Sequence, residues 1–157
     1  MELHDFLASH RDALLSEATE ALSRRHLPHY QAVGLPEAQR RLTALYDKLL
    51  DGARRRHLDG IVEHAERIGR ERFEEGAQFV EVQSAFNLLE EVVWRALLAS
   101  FPPAELGQAL GMISTLLGAA KDRLAATYVS KATQVHTPTL DLRSLFSGTQ
   151  NTGGGAR

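Results

Sequence analysis

The sequence predicts an all-α fold, and three observations lead to that prediction. From residue 3 to about residue 134, apolar side chains recur at spacings of three and four, as on the buried face of a helix. No segment alternates apolar and polar residues with the period of two that marks a half-buried strand. Prolines and glycines interrupt this pattern at a few places only. We therefore expect a helical bundle domain over residues 1–134, built from about five helices with a long C-terminal helix.

The first three helices are delimited by proline and glycine. The first runs over about Leu3–His26 and ends before Pro28. A second begins near Pro36, because proline gives up no needed hydrogen-bond donor in the first turn of a helix. The third covers about Arg55–Glu75, and Gly76 then permits the left-handed backbone that ends many helices.

The last two helices are the most apolar. The fourth covers about Phe79–Ser100 and ends before Pro102 and Pro103, and the fifth runs over about Ala104–Gln134. Apolar residues of the fifth helix alternate steps of four and three, which forms a heptad seam suited to long antiparallel packing or to a dimer interface. The seam consists of Leu106, Leu110, Ile113, Leu117, Ala120 and Leu124.

Composition excludes several classes of protein. The 43% of hydrophobic and 24% of charged residues are ordinary for a globular domain, and 157 residues suffice for one domain with a real core. A net charge of -2 favours neither nucleic acid nor an anionic membrane surface as a partner. The absence of cysteine excludes disulfides and fits a reducing compartment. No signal-peptide pattern and no apolar run of ~20 residues is present, so we expect a cytoplasmic protein.

The sequence contains no recognisable catalytic constellation. It has no cysteine nucleophile, no serine in a G-x-S-x-G turn, no phosphate-binding loop and no dinucleotide fingerprint. None of the seven histidines has a glutamate three residues before it, which excludes the usual carboxylate-bridged di-metal bundle. His57 and His64 lie two helical turns apart and are candidates for a metal or haem site. The favoured interpretation is that they are partly exposed histidines beside the core, since no second pair of ligands completes a metal shell by spacing.

Two further features of the last helices indicate contact surfaces. Gly107, Gly111 and Gly118 form a stripe of small residues with Ser114, which favours a close helix crossing or a cavity for a ligand. At about 100° per residue, Trp94 and Leu98 lie beside the buried face of the fourth helix. A helix that is apolar on most sides is either central in its bundle or covered by a second chain. We predict an interface at Trp94, Leu98 and Phe101.

Residues 135–157 differ in character from the bundle. We predict a flexible tail that contains one short apolar anchor, because Leu142, Leu145 and Phe146 fall at positions i, i+3 and i+4 and would align on one helical turn. This anchor either docks on a partner protein or folds back onto this domain or its dimer mate.

The run RIGRERFEEGAQFVEVQSAFNLLEEVVWRALL, together with the opening FLASHRDALLSEATEAL, resembles the N-terminal domain of the RsbR-type stressosome co-antagonists. The resemblance covers about residues 3–132. It implies a fold related to non-haem globins, a dimer, and a sensory or docking role. Such domains usually precede a STAS domain, for which the residues after the fifth helix leave no room.

We therefore expect a globin-like or up-and-down helical bundle that is not an enzyme. Its predicted role is that of a regulatory or adaptor domain that forms a homodimer and binds protein partners. The alternative is a globin-like sensor that binds haem or another apolar small ligand. A hydrolase or transferase would need a pair of carboxylates that converge in the folded core.

Overall fold

The computed structural model describes residues 1–136, which form seven α-helices. The all-helical class and the long C-terminal helix are confirmed, whereas the globin-like or up-and-down arrangement stays a prediction. Within residues 1–136, no helix is both long and apolar enough to cross a membrane. The helices are α1 (Leu3–Ser9), α2 (Arg11–Arg24), α3 (Pro28–Val33), α4 (Leu35–Arg55), α5 (Asp59–Glu74), α6 (Phe79–Ser100) and α7 (Pro103–His136).

The structure has more helices than predicted, and one predicted boundary is shifted. The predicted first helix breaks at His10, whose φ of -103 and ψ of 7 separate α1 from α2. The segment between Pro28 and Gly34, expected to be a break, forms the short helix α3, with proline in its first turn and glycine at φ +86 after its end. The predicted third helix starts late, at Asp59, because Arg56 adopts left-handed backbone with φ 55 and ends α4.

Helix α7 lies beside both α5 and α6. It runs parallel to α5, since Arg123 pairs with Glu66 at 3.7 Å and Lys131 pairs with Glu74 at 3.1 Å further along both helices. It runs antiparallel to α6, to which the short turn at residues 101–102 connects it. The inner part of its heptad seam is fully buried, so this seam is satisfied within one chain. The four residues with 0% exposure are Ile113, Leu117, Ala120 and Leu124.

Close approach of α4 and α5 to α7 depends on two glycines. A Cβ atom added to Gly69 would lie 2.9 Å from the side chain of Thr127, and one added to Gly52 would lie 2.8 Å from Leu116. Real Cβ contacts are essentially never that short. Both glycines sit in helices, where glycine costs roughly 1 kcal/mol relative to alanine. The contact with α7 therefore explains why a poorer helix former stands there.

Gly69→Ala tests this packing. We expect it to lower the free energy of unfolding by about 1–3 kcal/mol, because the added methyl group forces α5 away from Thr127. Chemical denaturation followed by circular dichroism measures the change. Gly60→Ala is the matched control on the same helix, since nothing lies within 4 Å of its Cβ position, and it should be neutral or gain up to about 1 kcal/mol. Equal effects of both substitutions would contradict the close contact.

Candidate interaction surface

The outward side of α7 carries the stripe of small residues. A Cβ atom at Gly107, Gly111 or Gly118 would meet no other atom within 4 Å, so no helix crosses this stripe within residues 1–136. Gly107 and Gly111 are exposed, and Ser114 and Gly118 are half-buried. Residues 106–120 contain no charged side chain. An exposed helix face of this length without a charge is unusual for a solvated surface.

The C-terminal half of α6 supplies an apolar edge next to this stripe. Val92, Val93 and Leu97 have 0% exposure, whereas Leu98 is 57% exposed and Trp94 is half-buried. Helix α6 is therefore not enclosed on all sides by residues 1–136. The indole Nε1 of Trp94 is buried and has no hydrogen-bond partner among the described residues, although a buried indole N–H usually finds one.

Lys121 joins the two helices at this place. Its Nζ donates to Glu90 Oε2 at 2.7 Å and to Asn87 Oδ1 at 3.1 Å, so α7 is tied to α6 one turn beyond Gly118. The side chain of Lys121 borders an open groove whose centre is apolar and whose rim is charged. The groove is lined by Asn87, Glu90, Glu91, Trp94, Arg95, Leu98 and Lys121. We call this groove, together with the stripe of small residues, the α6–α7 surface.

The other predicted interface residues lie elsewhere. Phe101 is only 6% exposed, and its ring packs edge-on against Phe6 with 5.7 Å between the ring centroids. It serves the contact between α1 and the α6–α7 turn and is not available to a partner, so we leave it out of the α6–α7 surface. Leu142, Leu145 and Phe146 lie outside the described residues.

Residues 9–141 match the family described as the RsbT co-antagonist protein rsbRD N-terminal domain. The chain belongs to this family. The match confirms the resemblance seen in the sequence and ends before Leu142. No curated protein and no solved structure matches the chain significantly.

This rsbRD-type domain does not bring the two candidate histidines into one site. His57 is exposed in the turn between α4 and α5, where its Nδ1 lies 3.6 Å from Asp59. His64 is 4% exposed on α5, and its Nδ1 accepts a hydrogen bond from Arg67 Nη2 at 2.9 Å. Because a guanidinium can only donate, the proton of neutral His64 is on Nε2, which is buried without a partner among the described residues.

Two buried charged side chains of the described residues lie close to α3. Among the described residues, the buried charged side chains are Arg72 and Glu81, so Glu81 has no second buried carboxylate beside it of the kind that an enzyme hypothesis requires. Glu81 Oε1 instead accepts a hydrogen bond from the backbone N–H of His29 at 3.4 Å and caps α3 from α6. Arg72 Nη1 donates to Glu75 at 3.2 Å. The periodicity of the sequence gives no signal for this cluster.

A second, apolar groove lies between the end of α2, the helix α3 and the start of α4. Its volume is about 170 Å³. Ligand pockets usually measure about 300–1,000 Å³, so this groove is too small for haem. It resembles in size an engineered cavity of about 150 Å³ that accepts benzene, so it has room for one or two large apolar side chains. We call it the α3 groove, and it is lined by Leu22, Ser23, Leu27, Tyr30, Gln31, Gly34, Leu35 and Ala38.

Buried His64 makes the stability of the domain depend on pH. Burial, and then the positive charges of Arg67, Lys48 and Arg72, lower its pKa from 6.5 to about 4. The unfolded chain therefore takes up a proton below about pH 6.5, whereas the folded chain does so only near pH 4. The free energy of unfolding should fall as the pH drops through this window, by up to roughly 3 kcal/mol at about 1.4 kcal/mol per pKa unit.

His64→Leu should flatten this dependence, because leucine carries no proton and leaves no buried N–H without a partner. Urea denaturation at pH 7.5 and pH 5 measures the slope. His57→Gln is the control, since that side chain is 63% exposed, and it should keep the slope of the unchanged protein. An unchanged slope in His64→Leu would assign the pH dependence to other groups.

Proposed function

We propose that this chain is a non-enzymatic regulatory domain of the cytoplasm that forms a homodimer through its α6–α7 surface. It acts by binding protein partners in response to a signal. The observation that carries the proposal is the outer side of α7 next to Trp94 and Leu98, which has no charge over residues 106–120 and is left uncovered by the described part of the chain. Membership of the rsbRD N-terminal family supports the regulatory role, because that family is named for a co-antagonist.

The spacing of the outer residues supports pairing of two copies. On α7 the outward small residues and Lys121 alternate steps of four and three: Gly107, Gly111, Ser114, Gly118 and Lys121. On α6, four of the six residues that line the groove follow the same spacing: Asn87, Glu91, Trp94 and Leu98. Two antiparallel helices with outward heptad seams are one half of a four-helix bundle. A second copy supplies the other half with the same surface, as twofold symmetry requires.

The stripe of small residues also favours the close approach of a partner helix. Glycines cost roughly 1 kcal/mol each within a helix, and no helix of residues 1–136 packs against the stripe. A partner helix that approaches closely would use the missing side chains.

Gly118→Arg tests dimer formation. We expect the unchanged protein to sediment as a dimer at micromolar concentration and the variant to sediment as a monomer, because an arginine on the stripe prevents close approach. The fold should survive, since the Cβ position of Gly118 is open. Analytical ultracentrifugation measures the mass, and the emission of Trp94, the only tryptophan, should shift to longer wavelength in the monomer.

Gln108→Arg is the matched control for this experiment. It places the same exposed charge on α7, about 100° around the helix from Gly107, and should leave the dimer intact. A monomeric unchanged protein, or equal dissociation by both variants, would refute the α6–α7 surface as the interface.

Partner binding is tested by affinity capture from the native host's lysate. If the α6–α7 surface carries the interaction, we expect the full chain and a chain stopped at Val135 to retain the same partner. If Leu142, Leu145 and Phe146 carry it, we expect only the full chain to retain the partner. Gly118→Arg in the full chain separates binding by the dimer from binding by the tail. Failure of every form to retain a partner would contradict the adaptor role.

A further inference from the structure

We propose that the α3 groove is the docking site of this chain's own apolar segment, with Leu145 and Phe146 inserted between the end of α2, the helix α3 and the start of α4. The proposal concerns a groove that shares no residue with the α6–α7 surface, so it does not depend on dimer formation.

The inner walls of the α3 groove are apolar, which suits an apolar side chain. Leu22 is 2%, Tyr30 8% and Ala38 2% exposed, and they form the inner wall. Leu35 of α4 is 51% exposed at the mouth of the groove. An occupant that covers this side chain would gain free energy from the burial of its apolar surface. Ser23 and Gln31 are exposed at the rim. An apolar cleft with a polar rim is the usual form of a site for a short apolar anchor.

The C-terminal end of α7 lies in the same part of the bundle as this groove. Tyr128 of α7 packs against Phe79 at the start of α6, with 5.5 Å between ring centroids. Two residues further along α6, Glu81 caps α3 through the backbone of His29, and Tyr30 follows directly. Burial, and then the proximity of Tyr30, raise the pKa of Tyr128 to about 12, which agrees with this neighbourhood. The described part of α7 ends at His136, about 12 Å beyond Tyr128.

The length of chain after His136 is sufficient to reach the groove. The ten residues that lead from His136 to Phe146 span up to about 35 Å when extended. Leu142, Leu145 and Phe146 have the i, i+3, i+4 spacing that aligns them on one helical turn. The groove volume of about 170 Å³ suffices for one aromatic ring, so Phe146 would fill the groove and Leu145 would pack at its open mouth beside Leu35.

Covalent attachment decides between the possible occupants. A segment joined by a short linker is present at the groove at an effective concentration of the order of millimolar. A partner's apolar segment or a free small molecule has to compete with that concentration for a groove that offers only a small contact area. The chain's own segment is therefore the occupant in the isolated protein.

Engineered disulfides test the proposal in the full chain, which contains no natural cysteine. Gln31→Cys places a thiol on the rim of the α3 groove, and Ser147→Cys places one next to Phe146. Under mild oxidation we expect a bond within one chain that forms at least tenfold faster than in the pair Val80→Cys and Ser147→Cys. Val80 is 57% exposed at the start of α6, one residue from Phe79, which packs against Tyr128 of α7.

Charge substitutions show whether docking drives this reaction. Leu35→Asp at the mouth of the groove, or Phe146→Asp in the segment, should slow formation of the bond to the rate of the control pair. Leu58→Asp is the matched control, because Leu58 is 40% exposed in the turn before α5, and it should leave the rate unchanged. Equal rates for the two cysteine pairs, or no effect of Leu35→Asp, would overturn the proposal. A disulfide that joins two chains would assign the segment to a second copy and overturn docking within one chain.

Discussion

The insertion of the inner face of α7 into the bundle is the contact on which the rest of the structure depends. Ile113, Leu117 and Leu124 have no exposed surface, and Gly52 and Gly69 let α4 and α5 come close enough to cover them. Burial of one large aliphatic side chain contributes about 1.5–3 kcal/mol, so this face accounts for a substantial part of the stability. It also fixes which side of α7 faces outward, and that outward side carries the stripe of small residues.

Polar contacts, rather than a large apolar face, hold the short helix α3 in place. Six residues form too few hydrogen bonds for an isolated helix to persist in water. Glu81 supplies the missing cap at the N-terminus of α3, and His29 Nε2 lies 3.1 Å from Glu75 and 3.0 Å from Arg41 Nη1. Only Tyr30 of α3 is buried in the core. The α3 groove therefore has one wall whose position depends on these ionic contacts.

The sequence predicts the long helices well, because their apolar periodicity and their proline and glycine boundaries are local signals. The bounds of α6, Phe79–Ser100, agree with the expected ones, and Gly76 adopts a φ of +84 as predicted. The helix α3 was not predictable from periodicity, because Glu81 of α6 caps it, and no local signal in the sequence marks Arg56 as left-handed. The burial of Phe101 against Phe6 is likewise a tertiary effect. The same limit applies to the glycines, since spacing alone does not separate Gly69, which is packed against Thr127, from Gly111, which is open.

The two faces of α7 link the proposed interface to the proposed docking of the tail. Because Thr127 is packed against Gly69 and Tyr128 donates to the carbonyl of Ala77 at 2.8 Å, the end of α7 moves with α5 and with the start of α6. The α6–α7 surface begins on the same rigid helix, six residues before Thr127 at Lys121. A partner that shifts α7 at its outer face would therefore also shift the point from which the chain continues after His136. Such a shift can change the distance between Phe146 and the α3 groove without altering either surface itself, which is the simplest physical route from association to a signal in a domain of this fold.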